Sequence, residues 1–175
     1  MPGFKTFATD EVLTAANMTT YLAQQAYVVK SANETVTSST AMQDDNELVI
    51  AVSANTTYHV ELILIYQALA AADMKLGWSG PASATLAWVA DDFISTIAAN
   101  VGPVARTLQA ISGTPSCGGV ESTPGTGDNL FALPKGILAV AGTAGSLTFR
   151  WAQNTSNATG SVVLAGSTLI LTRIS

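Results

Sequence analysis

At 175 residues the chain has the length of one domain with a short appendage. Its 7 Lys and Arg against 12 Asp and Glu give a net charge of −5 and leave no basic patch for nucleic acid. Only 11% of residues are charged and 48% are hydrophobic. Yet no apolar run reaches the roughly 20 residues of a spanning helix, so no membrane insertion is expected and the apolar excess points to burial between subunits.

Residues 1 to 10 read as an extended arm. The stretch VLTAANMTTYLAQQAYVV, from Val12 to Val29, carries no charge and starts as a short helix, Ala15 to Ala26, with Thr14 as its N-cap. Met18, Tyr21 and Leu22 fall on one helical face. A helix this short is marginal alone and needs a surface to pack on. Leu13, Met18, Tyr21, Leu22 and Gln25 are its docking candidates. Residues 1–29 therefore form an arm and helix for docking or trimerisation, and 30–175 a β-domain.

After Tyr27 the period changes to two. Ser31 to Asn46 is polar and extended, and Gln43-Asp44-Asp45-Asn46 reads as a turn. Leu48, Ile50 and Val52 mark a strand. Tyr58 to Ala68 is the strongest strand, with Tyr58, Val60, Leu62, Leu64 and Tyr66 on one face. Its other face, His59, Glu61, Ile63, Ile65 and Gln67, is polar at the ends and apolar in the middle. A strand covered on one side only would not turn Ile63 and Ile65 outward, so His59, Glu61, Ile63 and Ile65 are candidates for a subunit interface. Further strands are expected at Met74 to Trp78, Thr85 to Val89, Val104 to Ile111, Leu130 to Ala141 with an edge or bulge at Pro134, Gly145 to Ala152, and Val162 to Ile174 with a break at Gly166. Gly113 to Asp128 is a long Gly/Pro/Ser/Thr loop, with Ser116, Cys117, Gly118 and Gly119 as exposed candidates. About eight or nine antiparallel strands at this spacing give an all-β fold, a jelly-roll β-sandwich with a short N-terminal arm and helix.

No catalytic constellation emerges. His59 is the one histidine and sits in a strand without a Gly-x-Ser-x-Gly elbow elsewhere. Cys117 is the one cysteine, so no intrachain disulfide can form, and no basic neighbour in sequence activates it. Asp44-Asp45-Asn46-Glu47 offers oxygen ligands of the kind Ca²⁺ takes, but with no EF-hand spacing, and reads as a solvated turn. Trp78, Trp88 and Trp151 sit at apolar positions of β patterns and read as core before they read as a sugar platform. The five Asn-x-Ser/Thr triplets follow from the Asn/Ser/Thr-rich composition, since no signal-peptide pattern opens the sequence. No metal and no cofactor is expected, and no enzyme activity.

Two stretches together carry a resemblance. Glu11-Val12-Leu13-Thr14-Ala15-Ala16-Asn17, running into Tyr21-Leu22 and Gln25-Ala26, resembles the N-terminal segment of virion proteins of phages that infect actinobacteria, commonly labelled minor tail or tail-fibre proteins. The body, from Asp45-Asn46-Glu47-Leu48 through Tyr58, Val60-Glu61-Leu62, Arg150-Trp151-Ala152-Gln153-Asn154 and Ala165-Gly166-Ser167, resembles the small β-domains appended to such proteins. In pattern it is similar to trimeric jelly rolls of the C1q/TNF type. The resemblance implies a homotrimer in the virion, attached to the tail or tail tip and partnered by itself and by other virion proteins, with its loops facing a host-surface glycan. It brings no catalytic residues. The alternatives are a capsid decoration protein or head fibre at three-fold positions and, from other classes, a carbohydrate-binding module or a cell-wall depolymerase.

Overall fold

The computed structural model describes residues 8–18, 24–90, 107–118 and 121–175. Among them the helix is one turn, Ala15–Asn17, capped as expected by Thr14, whose hydroxyl accepts the Asn17 N–H at 3.1 Å. The helix does not run to Ala26: Gln25 and Ala26 already belong to strand β1 (Gln25–Val29). The reason is that β1 has a ladder to join, pairing antiparallel along its whole length with the last strand.

The remaining strands are β2 (Glu34–Val36), β3 (Gln43–Val52), β4 (Thr56–Gln67), β5 (Met74–Ser79) and β6 (Thr85–Val89). After them come β7 (Ser116–Cys117), β8 (Leu130–Ala132), β9 (Lys135–Val140), β10 (Gly145–Gln153), β11 (Ser161–Val163) and β12 (Thr168–Arg173). Two expected strands are thus split. Pro134, which has no N–H to give a ladder, separates β8 from β9, and Gly166, at φ +91°, turns the chain between β11 and β12. The run expected from Val104 begins outside the described residues; Gln109 forms an isolated bridge to Trp88.

The strands form two sheets facing each other, a jelly-roll-like sandwich. The smaller has the order β3-β10-β5-β7. The larger is built around β4, whose 12 residues are long enough to pair with two strands on each edge. One edge takes β12 and then β11, and the other takes β9 and then β8. β1 lies beyond β12, β2 beyond β11 and β6 beyond β9. Neighbours in the sheet are mostly distant in sequence, as a jelly roll requires.

The core lies between the sheets. Tyr58, Val60, Leu62, Leu64 and Tyr66 of β4 are buried, as are Leu48, Ile50 and Val52 of β3 and Leu147, Phe149 and Trp151 of β10. Trp78 meets Trp88 edge-to-face at a centroid distance of 6.0 Å and Phe149 at 5.4 Å. All three tryptophans are core, which removes them as a sugar platform. Gly136 permits the close pairing of β9 with β6, since a Cβ there would run into the Ala87 carbonyl and Trp88.

One edge of the sandwich, where β1 meets β3, is closed by charge instead of hydrocarbon. Lys30, just past β1, is buried, and its Nζ donates to Asp45 Oδ1 and Glu34 Oε2, both at 2.9 Å. Glu47 Oε1 stands 3.8 Å from the same nitrogen. Asp45 is also buried; its Oδ1 accepts the backbone N–H groups of Glu47 and Leu48, and its Oδ2 accepts Trp151 Nε1 at 3.2 Å. Glu34 accepts Gln43 Nε2 and the Asn46 N–H. The turn expected at Gln43-Asp44-Asp45-Asn46 is for this reason the start of β3. Its polar side chains are paired inside the protein, and the backbone stays extended.

Burial alone would push the Lys30 ammonium down. Hydrogen bonds to Asp45 and Glu34, and the charges behind them, outweigh that and hold it above the ordinary lysine value. Glu47 is held below the ordinary carboxylate value, first by the Ser31 hydroxyl and then by the Ser31 N–H. Partial desolvation opposes this, while the Ala32 N–H and Lys30 assist.

Removing the cation leaves buried carboxylates without compensation. Lys30→Met should therefore cost about 3–5 kcal/mol in denaturant unfolding, whereas a neutral outcome would show the cluster to be dispensable. A carboxylate with a depressed folded pKa stabilises above its ordinary value, 4.5 for Glu47, and loses that contribution as pH falls through the folded value. Glu47→Gln should accordingly be less stable than wild type at neutral pH and lose less stability on acidification, as read from unfolding midpoints across the pH series.

Candidate assembly surface

Alternation in β4 fixes two faces. With Tyr58 to Tyr66 turned into the core, His59, Glu61, Ile63 and Ile65 project together from the outer face of the larger sheet. Directly paired residues on flanking strands share that face. Thr172 and Ile137 flank His59, Ile170 and Lys135 flank Glu61, Thr168 lies beside Ile63, and Phe131 lies beside Ile65. One strand further out, Tyr27 extends the row through Ile170 and Val29 the row through Thr168, while Ala87 extends the row through Ile137.

The result is a broad apolar face. Tyr27 is 69% exposed, Val29 48%, Phe131 46% and Ile137 44%, and Ile63, Ile65 and Ile170 are half-buried. Its charged residues, Glu61 and Lys135, stand opposite each other across the β4–β9 ladder. His59 is half-buried in the middle of the sheet. Toward the β6 side the face passes into a shallow open groove of about 410 Å³, lined by Ala87, Leu108, Gln109, Ile137 and Ala139. Exposed apolar side chains grouped on one sheet face mark a candidate contact surface.

Of the other expected site residues, Gln25 alone among the described ones joins that face, extending the row through Thr172 and His59. Leu13 and Met18 are exposed, at 47% and 50%, and the one-turn helix buries nothing of its own. Tyr21 and Leu22 lie outside the described residues. Gln25 sits on β1 and donates to the Thr172 hydroxyl at 3.3 Å, on the outer face of the sheet. In the long loop, Ser116 is exposed and Gly119 lies outside the described residues. Cys117 was expected to be exposed but is buried. With Ser116 it forms β7, which pairs with Met74 and Lys75 of β5, and that pairing turns its side chain into the core. Gly118 follows at φ +132°, where a Cβ would strike Asp73.

Of the residues considered for metal or catalysis, Asp44 forms an ion pair with Arg150 Nε at 2.7 Å, and Asp45 belongs to the Lys30 cluster. No group of three or more His, Cys, Asp or Glu side chains with metal-binding geometry occurs among the described residues. Sequence reasoning found the β4 part of this apolar outer face but missed Tyr27, Phe131, Ile137 and Ile170. Their signal was present: each alternates with a core-facing neighbour, Val28, Ala132, Leu138 and Leu169.

No protein-family model matches the chain, and no curated protein matches it. Among solved structures, the tripod (BppUct-A-L) from the baseplate of bacteriophage Tuc2009 is similar at 11% identity and a TM-score of 0.38, over 99% of this chain and 79% of that one. The structure of the infectious bursal disease virus Gx strain is similar at 11% identity and a TM-score of 0.24, over 85% of this chain and 40% of that one. The reading of the sheet face rests on its own geometry.

Burial of Cys117 has a direct consequence. Its thiol should react with an aromatic disulfide reagent far more slowly in the native protein than in denaturant. Equal rates would show that β7 does not hold in solution.

Proposed function

We propose that this chain is a structural protein of a phage virion. In this reading it assembles as a homotrimer through the outer face of the larger sheet and attaches to the tail or tail tip by its N-terminal segment. The observation that carries the reading is the apolar face built from Tyr27, Ile63, Ile65, Phe131, Ile137 and Ile170.

A second copy is the occupant that suits this face. Glu61 and Lys135, paired across one ladder, leave it without a strong charge of either sign, so like surfaces meet without repulsion. In a chain with 11% charged residues, burying this face also takes exposed apolar side chains out of water. Closed rotational symmetry then buries one such surface per copy around an axis. Obligate interfaces of this kind are more apolar than ordinary surfaces. The role is structural and not catalytic.

The N-terminal segment supports the attachment half of the reading. Val12, Leu13 and Met18 are apolar, exposed and unsupported by the body of the fold. A segment of that kind gains order when it packs on a partner. The sequence resemblance of this segment and of the β-domain to phage tail proteins adds the class of particle.

Two experiments test the two halves. Native mass measurement should give a trimer, and an Ile63→Lys/Ile137→Lys double variant should sediment as a folded monomer. Neither residue is in the core, so unfolding stability measured at equal, low concentration should change little. A wild-type monomer at micromolar concentration would refute the assembly. Deleting residues 1–23, which spares β1, should leave a folded trimer that no longer enters particles. Particles that still contain the truncated protein would refute the anchor, and particles that carry it on the head would move the attachment from tail to capsid.

A further inference from the structure

We infer that Lys30 and Asp45 are the two halves of a self-forming isopeptide cross-link, with Glu34 as the base that promotes it. The inference is independent of the virion reading. It rests on three side chains that the fold brings together out of water. Lys30 and Asp45 have side-chain exposures of 1% and 0%, and Glu34 of 12%. Lys30 Nζ is 2.9 Å from Asp45 Oδ1 and 2.9 Å from Glu34 Oε2.

The ion pair and its reactive counterpart, a neutral amine beside a neutral carboxylic acid, contain the same protons. They differ by one proton moved along the 2.9 Å hydrogen bond to Oδ1. Fixed proximity removes the entropic part of the barrier that free amine and acid meet in water. The backbone N–H groups of Glu47 and Leu48 both point at Asp45 Oδ1, at 3.0 and 2.9 Å. They hold that oxygen in place as it takes the proton and departs. Trp151 Nε1 donates to the other oxygen, Oδ2, at 3.2 Å, where negative charge develops on attack at Cγ and which becomes the amide oxygen.

The step balances without any further reactant. The Nζ–Cγ bond forms and the Cγ–Oδ1 bond breaks. Lys30 loses two protons, one along its hydrogen bond to Oδ1 and one through Glu34, and both leave with Oδ1 as one molecule of water. Glu34 takes one of them from Nζ, passes it to the departing oxygen and ends as the carboxylate it began as. Gln43 Nε2 at 2.8 Å and the Asn46 N–H at 3.1 Å hold Glu34 in place for this. The product joins the end of β1 in the larger sheet to β3 in the smaller. In a chain with one cysteine, where no internal disulfide can form, it supplies the covalent tie between sheets.

The intact mass of the purified full chain, after storage at neutral pH, decides the matter without any variant. It should be lower than the sequence mass by one water. Tandem mass spectrometry of a digest should then place the loss in a branched peptide that joins Lys30 to Asp45. Lys30→Arg and Glu34→Gln should stay at full mass. Asp45→Asn should lose one ammonia instead of one water, because the leaving group has changed. A wild-type chain at full mass, or a water loss that maps to any other pair, would overturn the inference.

Discussion

The contact of Lys30 with Asp45, Glu34 and Glu47 is the one on which the rest of the architecture depends. It sits where the two sheets share an edge. Lys30 extends the β1–β12 ladder through backbone bonds with Ser167 and Gly166, and its side chain reaches β2 and β3 at once. Asp45 carries the connection on to Trp151 of β10. Taking such charges out of water costs several kcal/mol per ion. The cost is offset because nearly every oxygen in the group has a donor. What the cluster adds beyond packing is alignment: β1 has to lie beside β3, and β3 has to begin at Gln43, five residues before its first large apolar side chain.

With that edge fixed, β4 becomes the centre of the larger sheet and its alternation does the remaining work. One set of side chains fills the space between the sheets, opposite Leu147, Phe149 and Trp151. The other set is left facing outward, and the flanking strands add Tyr27, Phe131, Ile137 and Ile170 to it in register. The sandwich therefore completes its own core and still carries a second apolar surface. In the proposed assembly, sister copies cover that second surface.

The sequence displayed the sandwich clearly and the cluster hardly at all. The period of two in β4, β5, β6 and β10 is a local property of the chain and could be read directly, as could the Thr14 cap. The breaks at Pro134 and Gly166 were legible for the same reason. Asp44-Asp45-Asn46 was misread because turn chemistry is judged from neighbours, whereas these residues are satisfied by partners far along the chain, Trp151 lying 106 positions from Asp45. Gln25 and Ala26 were misread as helix because their choice of strand depends on β12, the last strand to be written. Half of the apolar outer face was visible in β4. The other half needed the register that places Ile137 and Phe131 beside it, and register is a property of the folded sheet. Cys117 was misplaced because a Pro/Ser/Gly-rich context looks exposed until a two-residue strand turns one side chain inward.

The central claim, that the outer face of the larger sheet is covered by sister copies, is tested most directly by hydroxyl-radical footprinting of the purified protein above and below the concentration at which it assembles. The account predicts that Tyr27, Phe131 and Ile137 are oxidised in dilute protein and protected in the assembly, while the solvent-facing Val49 on the smaller sheet, 39% exposed, is oxidised equally in both. Equal oxidation of Tyr27, Phe131 and Ile137 in the two states would contradict it.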